Sequence, residues 1–72
     1  MSDDATRVRL PMPEDQPLLT LLEAARALGV SRITAYALAR ERTFPVEVLR
    51  IGGRLYVRTA ELRRYLGLAV AA

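Results

Sequence analysis

From residue 20 to residue 29 the chain reads T-L-L-E-A-A-R-A-L-G, and its apolar positions Leu21, Ala24, Ala25 and Leu28 fall on one face of a helix. Thr20 and Glu23, three residues apart, make a capping box for the free amides of the first turn, and Gly29 is a terminator. The small residues Ala24 and Ala25 allow a second helix to approach closely, whereas Leu22 projects outward. That second helix begins almost at once. Ser31 is its N-cap, Val30 can staple onto Ala35, and Ala35, Leu38 and Ala39 share its inward face. The opposite face collects Ile33, Tyr36, Ala37 and Arg40, with Glu41 at its edge. Phe44 is placed to close the core, and Pro45 bars further helix.

The pattern then changes to V-L-R-I-G-G-R-L-Y-V, two short aliphatic runs around paired glycines, which predicts a β-hairpin. A two-residue loop, Gly52-Gly53, would mix polar and apolar residues on each face. A three-residue loop, Gly52-Gly53-Arg54, sets Ile51 opposite Leu55 and Leu49 opposite Val57, and leaves Arg50, Tyr56 and Arg58 on the other face. The three-residue loop is therefore expected, with Arg54 at the tip. A last helix follows, with Thr59 as its cap, Leu62 and Leu66 inward, Tyr65 at the margin and Gly67 at its end. The expected organisation is a flexible arm over 1–17, rich in proline (Pro11, Pro13, Pro17) and acids, then a domain over 18–67 and a short apolar tail over 68–72. The fold class is α+β: a small winged helix-turn-helix with a two-stranded hairpin wing and a C-terminal helix.

Composition narrows the chemistry. Seventy-two residues make one small domain with little room for an enzymatic cleft. The chain has no cysteine and no histidine, which removes disulfides, thiolate and imidazole metal ligands and the usual general base. Neither a catalytic site, a metal site nor a cofactor is expected. No apolar run approaches a membrane span and no signal peptide is visible, so the expected location is the cytoplasm. The charge is uneven: Arg7 and Arg9 against four acids give residues 1–17 a charge of −2, whereas nine arginines against four glutamates give residues 18–72 a charge of +5. All eleven basic residues are arginine, for which a high-GC codon bias is a sufficient explanation, so the asymmetry carries more weight.

A helix-turn-helix with glycine in its turn can lay its second helix in the DNA major groove, although helical hairpins without a nucleic-acid role share the pattern. Beside it, a glycine-tipped hairpin can follow the backbone or enter the minor groove, where arginine is favoured, which makes Arg50, Gly52, Gly53, Arg54, Tyr56 and Arg58 the candidate wing contacts to DNA. The plainer alternative is that Gly52 and Gly53 serve only the turn and Arg54 solvates it.

The stretches L-T-L-L-E-A-A-R-A-L-G-V-S-R-I-T-A-Y-A-L and F-P-V-E-V-L-R-I-G-G-R-L-Y-V-R-T-A-E-L-R-R-Y-L together resemble the excisionase-type winged-helix family, relatives of the MerR-like DNA-binding domain. The resemblance covers about residues 18–67. It implies a non-enzymatic, DNA-bending protein, a recombination directionality factor that binds repeated sites cooperatively and assists an integrase. It also implies that the second helix is the recognition helix, with Arg32, Thr34, Tyr36 and Arg40 at places where the family contacts bases or phosphates and Arg54 as the wing arginine. Ile33 and Ala37 depart from that pattern. Apolar groups there can meet thymine methyls but cannot donate to guanine or adenine, so shape and bendability would carry more of the specificity. Leu22 is a further apolar departure.

Two other functions compete. A small MerR-like transcription regulator is the nearer one, although full regulators of that kind append a dimerising helix and an effector domain. The other is a protein-interaction adaptor using Leu22, Ile33 and the apolar tail. Lacking a coiled coil, the protein is expected to be a monomer in solution that associates head-to-tail with further copies on double-stranded DNA.

Overall fold

The computed structural model describes residues 10–70. In chain order it contains strand β1 (Leu18–Thr20), helix α1 (Leu21–Leu28), helix α2 (Arg32–Glu41), strands β2 (Val48–Ile51) and β3 (Arg54–Arg58), and helix α3 (Thr59–Tyr65). The α+β helix-turn-helix with a hairpin wing is as expected, but the sheet has three strands rather than two. All are antiparallel, in the order β1-β3-β2.

β1 was hidden by its junction with α1. Thr20 is the last strand residue and also the N-cap, with the extended backbone (φ −69°, ψ 159°) that both roles require. No loop separates the two elements, so no turn residue announces the strand. The capping box is complete: Glu23 N donates to Thr20 Oγ1 at 3.1 Å and Thr20 N donates to Glu23 Oε1 at 2.9 Å. α1 ends at Gly29 in the left-handed conformation (φ 77°). Ser31 caps α2 as expected, accepting from Thr34 N at 3.1 Å.

The core gathers Leu19 from β1, Leu21, Ala24 and Ala25 from α1, Ala35 from α2, Val57 from β3 and Leu62 from α3. Ala24, Ala25 and Ala35 are fully buried, which lets the two helices of the pair lie close. Phe44, Val48, Leu55 and Leu66 pack around this cluster half-buried. Leu38, expected inward, is only half-buried and lies outside the cluster.

Thr59 is not a cap. The α3 N-cap is Arg58, which makes no side-chain capping bond, and Thr59 is completely buried. Its Oγ1 donates to Gln16 O at 2.6 Å and its N donates to Pro17 O at 2.9 Å. Those bonds dock Gln16 and Pro17, at the end of the expected arm, on the domain. A turn forms there, with Asp15 N and Gln16 N both donating to Met12 O at 3.0 Å. Leu10 packs on the core. Arg63 Nη1 donates to Leu10 O at 2.9 Å, and Arg63 Nε donates to Ala69 O, so one guanidinium ties the arm to the C-terminal tail. The rest of the expected arm, 1–9, and the last two residues of the tail lie outside the described residues.

Candidate nucleic-acid interface

α2 presents its outer face as the sequence implies. Ile33 is 83% exposed, and Arg32, Thr34, Tyr36 and Arg40 are exposed beside it. Ala37 is half-buried, which leaves Ile33 as the apolar group standing out on this face. The Thr34 hydroxyl accepts from Ser31 Oγ at 3.0 Å, so Thr34 also braces the helix start.

The wing differs from expectation in register. β2 and β3 pair as Val48↔Val57, Leu49↔Tyr56, Arg50↔Leu55 and Ile51↔Arg54, which leaves a two-residue loop of Gly52 and Gly53. Both glycines have positive φ (59° and 83°), the requirement of a type I′ hairpin, whose twist matches the strands. Arg54 is therefore the first residue of β3 rather than part of the loop. The expectation rested on placing all aliphatics on one face. That criterion acts only where a face is covered, and coverage ends at the base of the wing. There Val57, fully buried, stands opposite Val48 on one side and Leu19 on the other. Further out nothing enforces the alternation, and Ile51 is 49% exposed.

The register divides the wing residues between two faces, because opposed residues share a side and successive ones alternate. Arg50 lies with Val48, Leu55 and Val57 on the helix side. Arg54, Tyr56 and Arg58 lie on the outer side with Leu49 and Ile51. Arg58 is engaged internally: its Nη1 lies 2.8 Å from Glu47 Oε1 and 3.4 Å from Glu61 Oε2. The Glu47 carboxylate, by hydrogen bond and by charge, raises the Arg58 pKa above its ordinary value, with a smaller contribution from Glu61. Arg50 and Arg54 have no carboxylate within ion-pair distance among the described residues.

Between the C-terminal half of α2 and the helix side of the wing runs a groove of about 810 Å³. Tyr36 and Arg40 line it from α2, Arg50 and Leu55 from the wing, and Arg42 and Phe44 from the connection. It joins the outer face of α2 to the wing in one surface. Arg42 was not expected from the sequence. It lies past the end of α2 in the left-handed conformation (φ 62°), and no local signal distinguishes an arginine there from a solvated one.

No helix among the described residues is long and apolar enough to cross a membrane, and no group of three His, Cys, Asp or Glu is placed to hold a metal ion. No curated protein and no solved structure matches this chain. A family model described as a helix-turn-helix domain, a DNA-binding family, matches residues 18–67. That span holds both helices of the pair, the wing and α3, and the chain belongs to the helix-turn-helix domain family.

Proposed function

We propose that this protein is a non-enzymatic, sequence-specific DNA-bending factor of the excisionase type, which binds repeated sites side by side and assists an integrase in recombination. The observation that carries this reading is the continuous surface formed by the exposed face of α2, the groove beside it and the two-glycine wing. α2 enters the major groove, with Arg32 and Tyr36 as its polar contacts there, Ile33 against thymine methyls and Arg40 toward the backbone. Gly52 and Gly53 let the wing tip approach the backbone closely, and Arg54 reaches a phosphate or the minor groove. So few donors on α2 read base edges weakly, so discrimination depends on bending and on several copies sharing one array of sites. The free protein is a monomer, located in the cytoplasm, and uses no cofactor.

Two measurements test this reading together. Gel-shift titration on duplexes with one, two and three repeats should show affinity rising with repeat number. An integrase-dependent excision assay should show a requirement for the protein. Tight DNA binding with unchanged excision would assign the chain to transcriptional regulation, as in small MerR-like proteins. Absence of salt-dependent DNA binding would leave an adaptor role.

A further inference from the structure

All three helices end with the same pair of hydrogen bonds, and one of the three ends on a residue that this geometry disfavours. At α1, Val30 N donates to Ala25 O at 3.0 Å and Gly29 N to Arg26 O at 3.2 Å. At α3, Leu68 N donates to Arg63 O at 2.8 Å and Gly67 N to Arg64 O at 3.1 Å. At α2, Thr43 N donates to Leu38 O at 2.9 Å and Arg42 N to Ala39 O at 3.2 Å. The pattern places one residue in the left-handed region each time: Gly29 at φ 77°, Gly67 at φ 79° and Arg42 at φ 62°. Glycine adopts that region freely. Any side chain brings its Cβ against the following carbonyl oxygen, which is why glycine dominates the position. Arg42 is the one non-glycine residue with positive φ among the described residues. Strain of this kind, held where a permissive residue would serve, points toward a role for the side chain.

The surroundings of Arg42 indicate that role. Arg42 lines the groove between α2 and the wing together with Arg40 and Arg50. The one carboxylate on the groove wall, Glu47, is already bound by Arg58 at 2.8 Å. Three exposed arginines, Arg40, Arg42 and Arg50, thus line one groove whose wall also includes Phe44, Val46 and Leu55. Arg50 reaches this groove only because of the two-residue turn, which sets it on the helix side of the wing.

We propose that Arg42 is a phosphate-binding residue, and that Arg40, Arg42 and Arg50 together hold a stretch of one DNA strand's backbone in this groove. The assignment rests on the DNA-binding reading above and adds to it a place for the backbone and a reason for the arginine at the helix end. A planar fork of donors suits phosphate oxygens, and the backbone entering between recognition helix and wing is continuous with both. Arg54, on the opposite face of the wing, contacts a different part of the duplex.

The test separates helix ending from phosphate binding. Arg42→Gly removes the guanidinium and supplies the residue that the geometry prefers. Arg42→Asn, which tolerates the left-handed region, does the same with a side chain kept. Both variants should melt at or above the wild-type temperature. On a duplex carrying the repeats, each should bind about eightfold more weakly at about 0.1 M salt, with a log–log salt slope shallower by about 0.9, one phosphate's share. Wild-type binding with unchanged affinity and slope in both variants would overturn the inference and leave Arg42 a helix end only. Wild-type protein that binds no duplex would instead overturn the DNA-binding reading. Binding of polyglutamate in place of duplex, with the same Arg42 dependence, would overturn the choice of DNA as the occupant of the groove.

Discussion

The base and the tip of the wing are built from the same two strands and differ in almost every physical respect. At the base, Val48, Val57 and Leu19 stand in one row against the helices, and Val57 is fully buried. Arg58, on the outer face there, is held by Glu47 and Glu61. At the tip, two glycines turn the chain, and Arg50 and Arg54 stand exposed with no described carboxylate in reach. The base fixes the sheet and balances its charge internally, whereas the tip leaves its charge for a partner. An arginine count alone would treat Arg54 and Arg58 as equals, and their surroundings separate them.

The largest effect that would break this comparison is at the base. Val57→Ala removes two methyl groups from a fully buried site and should destabilise the domain by about 2 kcal/mol. In a domain of this size that lowers the melting temperature by roughly 8–16 °C, readable by circular dichroism. At the tip, Gly53→Ala forces a side chain into φ 83° and should cost about 1–2 kcal/mol, although a Cβ there would meet nothing within 4 Å. Its penalty is conformational rather than steric against neighbours, so DNA binding per folded molecule should change little.

A smaller effect belongs to the docked arm. Thr59→Val keeps the shape and removes the hydroxyl that reaches Gln16 O, at an expected cost of about 1 kcal/mol. Hydrogen exchange should then accelerate at Asp15 and Gln16, whose amides close the turn on Met12. Unchanged exchange there would show that the backbone bond from Thr59 N to Pro17 O holds the segment by itself. The smallest stability effects come from the two outer-face arginines. Arg54→Ala should shift the unfolding free energy by less than about 0.5 kcal/mol. Arg58→Ala breaks only exposed pairs, which solvent screens, and should change stability little.

What could be read from the sequence follows the range of the interactions involved. Thr20 with Glu23, Ser31 with Thr34 and Gly29 after Leu28 are contacts within a few residues, and the two helices and the turn between them were legible, although Leu38 and the left-handed end of α2 at Arg42 were not. β1 was not, because Thr20 is both strand end and helix cap and leaves no loop as a sign. Thr59 was misread because a threonine ahead of a helix serves equally as a cap or as a buried donor. The deciding partner, Gln16, lies 43 residues away. The hairpin register was misread because a face criterion was applied beyond the covered part of the sheet. Among the site residues, Arg32, Ile33, Tyr36, Arg40 and Arg54 stand exposed as the pattern implied. The engagement of Arg58 and the placement of Arg42 are tertiary facts, visible only once Glu47 and the wing come together.

The contrast between base and tip is tested most directly by salt titration of DNA binding for the wild-type protein, Arg54→Ala and Arg58→Ala. Plots of log affinity against log salt should give a steep wild-type slope. Arg54→Ala should lose about 0.9 of that slope and about eightfold in affinity at about 0.1 M salt, while Arg58→Ala keeps the wild-type slope. Equal losses in the two variants would contradict the division of the wing, and so would a loss confined to Arg58→Ala.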